Sequence, residues 1–112
     1  EQQNTDDTDI ILVAYGISSR IAKTAMDNAR RQGLKVGLFR PQTLFPFPKK
    51  QINALADKNV TFIAVEMSNG QLADDLRLAI SCRRPVELVN RLGGNLVTLD
   101  QVMNKIKAVA GK

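Results

Sequence analysis

Residues 10–16 read IILVAYG, and this stretch decides the fold. Six apolar or aromatic residues in succession match the length of a strand, and Gly16 breaks the run. A strand with one wet face alternates apolar and polar positions. An unbroken run instead marks a strand covered on both faces, as in a parallel sheet flanked by helices. The next eighteen or so residues have the pattern of such a flanking helix. Ser18 or Ser19 can cap a helix running to about Gln32, with Ile21, Ala22, Ala25, Met26 and Ala29 on one stripe. Gly33 then supplies the left-handed residue that closes such a helix.

Moving outward, the same unit repeats. Residues 35–39 (KVGLF) read as a second strand and residues 40–47 (RPQTLFPF) as a loop. Pro48 suits the first turn of a helix that turns Ile52, Leu55 and Ala56 inward. Residues 60–65 (VTFIAV) are a third strand, followed by EMSNGQ over residues 66–71. The next helix has Leu72, Leu76, Ala79 and Ile80 on one face. Early Asp74 and Asp75 and late Arg83 and Arg84 match its dipole. Pro85 opens a fourth strand at residues 86–89, a position where proline is tolerated. After a loop holding Gly93 and Gly94, TLDQ over residues 98–101 is a capping box. It starts a last helix with Val102, Met103, Ile106 and Val109 inward.

Strands alternating with crossover helices define an α/β protein: three layers, α/β/α, around a mainly parallel sheet with right-handed connections. One domain over residues 9–112 is expected, with residues 1–8 a polar tail or interdomain boundary. The length of 112 residues and the 44% hydrophobic content suit one core. Glu1 in place of a starter methionine points to chain upstream.

Composition excludes several chemistries. There is no histidine, which removes the usual general base and commonest metal ligand, and with it serine–histidine and cysteine–histidine nucleophiles. A single cysteine, Cys82, rules out an internal disulfide and any cysteine-built zinc or iron–sulfur site. No apolar stretch approaches the roughly 20 residues that span a bilayer, so no membrane partner is expected. The polar, acidic start is unlike a signal peptide, which fits a cytoplasmic protein. Six of the sixteen lysines and arginines behind the net charge of +5 lie in pairs: Arg30–Arg31, Lys49–Lys50 and Arg83–Arg84. The first and last of these fall where helices are expected to end, facing carbonyl dipoles. No aromatic residues are interleaved to stack bases, so no nucleic-acid partner is expected.

Sites in open parallel sheets lie beyond the carboxyl ends of the strands, which here lead into Gly16, Arg40, Glu66 and Arg91. Arg40 and Arg91 around Glu66 form a charge-balanced cluster with two readings. In one, Glu66 pins the two arginine loops together; in the other, spare guanidinium donors hold an anion. Gly16–Ser19 before a helix is a weak anion site, lacking the three-glycine fingerprint and the phosphate-loop lysine. Asp74 and Asp75 suit a helix dipole better than a metal, and Cys82 lacks a base or resolving partner. Leu44, Phe45 and Phe47 sit on a proline-stiffened loop, and either core packing or a subunit interface explains them.

Four segments in order carry a resemblance: ILVAYG at 11–16, VGLFRPQTLFPFP at 36–48, FIAVEMSNGQL at 62–72 and PVELVNRLGG at 85–94. Together they resemble the transketolase C-terminal-like domain of thiamine-diphosphate enzymes. The chain is most similar to that domain in the α subunit of 2-oxoacid:ferredoxin oxidoreductases of the branched-chain (2-oxoisovalerate) type. The resemblance implies a sheet of order 2-1-3-4, in some members with an extra short antiparallel strand supplied from upstream. It implies a parent enzyme that uses thiamine diphosphate, magnesium and iron–sulfur clusters, and passes an acyl group to coenzyme A and electrons to ferredoxin. It also implies that this domain organises its neighbours and carries no catalytic, cofactor-binding or metal residue of its own. Partners would be the other domains and subunits of the oxidoreductase. Met67-Ser-Asn and Ser81-Cys-Arg-Arg depart from the family pattern and leave the 2-oxoacid open. A transketolase, the β subunit of a 2-oxoacid dehydrogenase, and a free-standing small-anion-binding module are the alternatives.

Overall fold

The run at residue 10 becomes the middle of the sheet. A computed structural model gives the elements β1 (Gln2–Gln3), β2 (Ile10–Ala14), α1 (Ser18–Arg31), β3 (Val36–Phe39), α2 (Lys49–Ala56), β4 (Thr61–Glu66), α3 (Gln71–Ala79), β5 (Val86–Asn90) and α4 (Leu99–Ala110). It describes residues 2–3, 8–16, 18–41, 48–66, 70–90 and 98–110. The strand order is β1-β3-β2-β4-β5. Strands β3, β2, β4 and β5 pair in parallel, and β1 is antiparallel to β3 through Gln2↔Phe39 and Gln3↔Leu38. Counted without β1, this is the order 2-1-3-4. The extra antiparallel strand is formed by two residues of the segment expected to be a tail.

Why β2 carries no polar residue is explained by the layers. Ile10, Leu12 and Ala14 face one side and join Ala22, Ala25, Met26 and Ala29 of α1 and Val102, Met103 and Ile106 of α4. Ile11 and Val13 face the other and join Ile52 and Leu55 of α2 and Leu72 and Leu76 of α3. β4 divides the same way, with Ile63 and Val65 on the first side and Phe62 and Ala64 on the second. Successive strand residues point to opposite faces, so two covered faces require apolar residues at every position. All five residues of β2 are buried. Tyr15, however, lies just past the strand and is 45% exposed, so the buried run is one residue shorter than the sequence pattern.

Helix ends show local chemistry directly. At the end of α1 the Leu34 amide donates to the Ala29 carbonyl and the Gly33 amide to that of Arg30, with Gly33 at φ +86°. These are the paired bonds of a Schellman cap, built on the residue that adopts positive φ at no steric cost. At α4 the Gln101 amide donates to Thr98 Oγ1 at 3.2 Å, and the Thr98 amide to Gln101 Oε1 at 2.9 Å. That is the reciprocal capping box.

α3 differs from the sequence expectation. It stops at Ala79, so Arg83 and Arg84 lie beyond it rather than in its last turn. The Cys82 amide donates to the Arg77 carbonyl and the Ser81 amide to that of Leu78, another Schellman pair, but built without glycine. Ser81 and Cys82 take φ of +53° and +57°. A periodic apolar face does not reveal such a stop when glycine is missing. Ser81→Gly should therefore raise stability by about 0.5–1 kcal/mol, the relief of left-handed strain less the chain entropy that glycine adds. An upward shift of the urea midpoint checks this, and a downward shift would contradict it.

Candidate functional site

The carboxyl ends of the strands meet on one rim, and Glu66 is its buried charged group among the described residues. It ends β4 and is 7% exposed. Its Oε1 accepts the Leu72 amide at 3.0 Å and its Oε2 the Ala73 amide at 3.1 Å. The cause lies in the helix just beyond it. Gly70 occupies the N-cap of α3 at φ +99° and has no side chain with which to cap. The second and third amides of the helix would otherwise be buried donors without an acceptor. Glu66, four residues earlier, supplies what a capping serine or aspartate would, with a full negative charge at the positive end of the helix dipole. A Cβ at residue 70 would also sit 3.3 Å from Leu88 Cδ2. Gly70→Ala should then cost about 2 kcal/mol through positive φ and crowding, read as a lower melting temperature. An unchanged melting temperature would contradict this.

Arg40 follows β3 directly and is exposed. Since β2 lies between β3 and β4, Arg40 and Glu66 start two strand positions apart, about 10 Å by strand spacing. Asn90, paired in register with Glu66, ends β5, and the next residue, Arg91, lies outside the described residues. So do Leu44, Phe45 and Phe47 of the proline-stiffened loop. The structure thus assigns Glu66 a role that the sequence reading missed. The available signal was a carboxylate four residues ahead of a glycine N-cap.

The remaining candidates do not gather around Glu66 at this rim as a site. Ser19 Oγ donates to the Gly16 carbonyl at 2.7 Å, and Ser18 is already the first helical residue, so neither precedes the helix as an N-cap. Asp74 lies 3.3 Å from Arg77 on the open face of α3. Among the described residues no group of three or more histidine, cysteine or acidic side chains collects to hold a metal. Cys82 is exposed, but the neighbouring Arg83 guanidinium is directed at α2. It donates to Asp57 Oδ1 at 2.7 Å and to Asn53 Oδ1 at 2.6 Å. Arg84 Nε donates to the Ala56 carbonyl at 2.8 Å. The arginine pair therefore serves the carbonyl end of α2, and Arg83 Nε also reaches the Ile80 carbonyl at 3.3 Å.

The arrangement offers little to a cofactor. One cysteine and no histidine cannot ligate an iron–sulfur cluster, and the α3 amides that would cradle a diphosphate are taken by Glu66. The described residues do not fit thiamine diphosphate, magnesium or a cluster, and no chemical step is assigned to them.

The fold is a doubly wound α/β domain, a parallel sheet of order 2-1-3-4 between two layers of helices. A chain of the 2-oxoglutarate:ferredoxin oxidoreductase from Magnetococcus marinus superposes with a TM-score of 0.85 at 24% identity, over 96% of this chain and 19% of that one. A split-gene transketolase, solved as an inactive tetramer, gives 0.74 at 16% identity, over 90% and 38%. The chain belongs to the pyruvate:ferredoxin oxidoreductase core domain II family, whose profile matches residues 8–102. It is 55% identical over 112 residues to the ketoisovalerate oxidoreductase subunit VorB of Methanothermobacter marburgensis, covering 100% of this chain and 32% of that protein. The chain thus spans about a third of the length of the ketoisovalerate oxidoreductase subunits it matches. No helix among the described residues is long and apolar enough to cross a membrane.

Proposed function

We propose that this chain is the organising domain of a cytoplasmic, thiamine-diphosphate-dependent 2-oxoacid:ferredoxin oxidoreductase acting on 2-oxoisovalerate. The whole enzyme would decarboxylate the 2-oxoacid oxidatively, deliver the acyl group to coenzyme A and pass electrons to ferredoxin. The observation that carries the substrate is the 55% identity to a ketoisovalerate oxidoreductase subunit along the entire chain. A non-catalytic role is supported by Glu66: the buried carboxylate at the end of β4 has both oxygens engaged by amides of the next helix, α3. Thiamine diphosphate, magnesium and the iron–sulfur clusters would be held by other domains and subunits. Arg40 and Arg91 would tie the carboxyl-end loops to Glu66, and Leu44, Phe45 and Phe47 would meet a neighbouring domain or subunit.

The test is to tag the native gene product and purify it without oxygen. Copurifying subunits, bound thiamine diphosphate, an iron–sulfur spectrum and dye reduction fastest with 2-oxoisovalerate are the expected results. Faster reduction with pyruvate or 2-oxoglutarate would overturn the substrate. A lone protein without cofactors would overturn the enzyme, and would favour the small-anion module instead.

A further inference from the structure

Three polar side chains are buried among the described residues: Ser18, Ser19 and Glu66. Two of them have evident partners. Glu66 is taken up by the α3 amides, and Ser19 Oγ donates to the Gly16 carbonyl. Ser18 is 3% exposed, yet its hydroxyl has no hydrogen-bond partner among the described residues. Buried polar groups are nearly always paired. Its oxygen is not sealed off, since no enclosed side-chain oxygen or nitrogen among the described residues lacks a partner. The small exposed remainder of Ser18 therefore includes the hydroxyl, which opens to solvent at the first residue of α1.

The surroundings of that hydroxyl favour an anion. Ser18 begins a helix of 14 residues, so the positive end of its dipole lies here. No residue of this first turn is acidic, and no side chain among the described residues accepts from its amides. The turn instead carries Arg20, an exposed cation where the dipole repels cations. Arg40 adds a second. Val13 pairs with Phe39, so Ala14 and Arg40 follow as neighbours across the roughly 5 Å between strands. Leu38 faces the α1 layer, and Arg40, two residues on, leaves the strand toward the same side. Of the carboxylates at this end of the strands, Glu66, Asp74 and Asp75 belong with α3 on the opposite layer. Asp100 begins α4, the neighbouring helix, about 10 Å away by the usual spacing of packed helices. Access is open beside Ser18. Gly16 has φ +66° and nothing within 4 Å of where a Cβ would stand.

We infer that the β2–α1 turn holds a phosphate group, which accepts from the Ser18 hydroxyl and the first amides of α1 and is balanced by Arg20 and Arg40. A water would satisfy the hydroxyl but not the excess of positive charge. Two guanidinium groups and a helix end match a dianion better than a single carboxylate, and their donors suit several oxygens at once. Nothing in this site depends on which 2-oxoacid the parent enzyme uses.

Equilibrium dialysis of inorganic phosphate, and separately of AMP, against the full-length subunit at constant ionic strength tests this. Wild type, Ser18→Ala, Arg20→Glu and Lys35→Glu are compared, each with its melting temperature in the absence of either probe. Ser18→Ala and Arg20→Glu should each weaken binding by about tenfold, the worth of one hydrogen bond to a charged group. Arg20→Glu should do so without a lower melting temperature, because a carboxylate suits the first turn of a helix. Loss of affinity is thereby separated from loss of fold. Lys35→Glu, a reversal at the opposite end of the strands, should leave binding unchanged. AMP bound more tightly than phosphate would assign the group to a nucleotide, and AMP bound no more tightly would assign it to the free ion. Affinities unchanged in both Ser18→Ala and Arg20→Glu, or neither probe bound by wild type at millimolar concentration, would overturn the inference.

Discussion

Glu66→Ala is expected to lower the unfolding free energy by about 3–5 kcal/mol. Hydrogen bonds to a charged group contribute roughly 1.5–3 kcal/mol each, and this carboxylate accepts two, from Leu72 and Ala73. Alanine would leave both amides without an acceptor at a site that is 7% exposed, where water is a poor replacement. Gly70 has no side chain to take over the cap. Glu66→Gln keeps one carbonyl acceptor but turns an amide donor toward a second donor, so a smaller loss of about 2 kcal/mol is expected. Urea denaturation of the two variants beside wild type checks both figures. A loss below about 1 kcal/mol for alanine would show that the cap matters less than its geometry implies.

The second large effect lies in the core. Phe62 faces the α2–α3 layer, is fully buried and heads the largest buried side chains. It packs between Ile11 and Val13 of β2 and the helices above, so its removal opens a cavity bounded by strands that cannot move independently. Phe62→Ala should cost about 3–5 kcal/mol, and Phe62→Leu about 1–1.5 kcal/mol because it keeps most of the volume. Domains of this size are stable by about 5–15 kcal/mol, so the alanine variant would approach the unfolding threshold. In the parent enzyme, subunit assembly should be lost before any kinetic constant changes. Wild-type yield of assembled Phe62→Ala enzyme would contradict this.

The range of each interaction decides whether the sequence reveals it. The strands of IILVAY and VTFIAV, the apolar stripe of α1, its Gly33 closure and the Thr98–Gln101 box depend on residues a few positions apart, and each is legible as pattern. β1 is not, because Gln2 and Gln3 carry no apolar alternation and join the sheet only by pairing with Leu38 and Phe39. The stop of α3 is hidden because Ser81 adopts a conformation usually reserved for glycine. Arg83 reads as a cation for its own helix, yet its strongest bonds are to Asp57 and Asn53, 26 and 30 residues earlier. Of the candidate site, the position of Glu66 at a strand's carboxyl end is legible from order alone. Its engagement of α3 is not, since a carboxylate among arginines suggests ion pairing before helix capping.

The central claim is that this domain organises an oxidoreductase and does no chemistry of its own. Purified without oxygen, the parent enzyme carrying Glu66→Gln tests it most directly through 2-oxoisovalerate-dependent turnover per assembled complex, measured alongside the melting temperature. The expected result is turnover within about twofold of wild type together with a lower melting temperature. Turnover reduced by about a hundredfold at an unchanged melting temperature would place Glu66 in the reaction and contradict the claim.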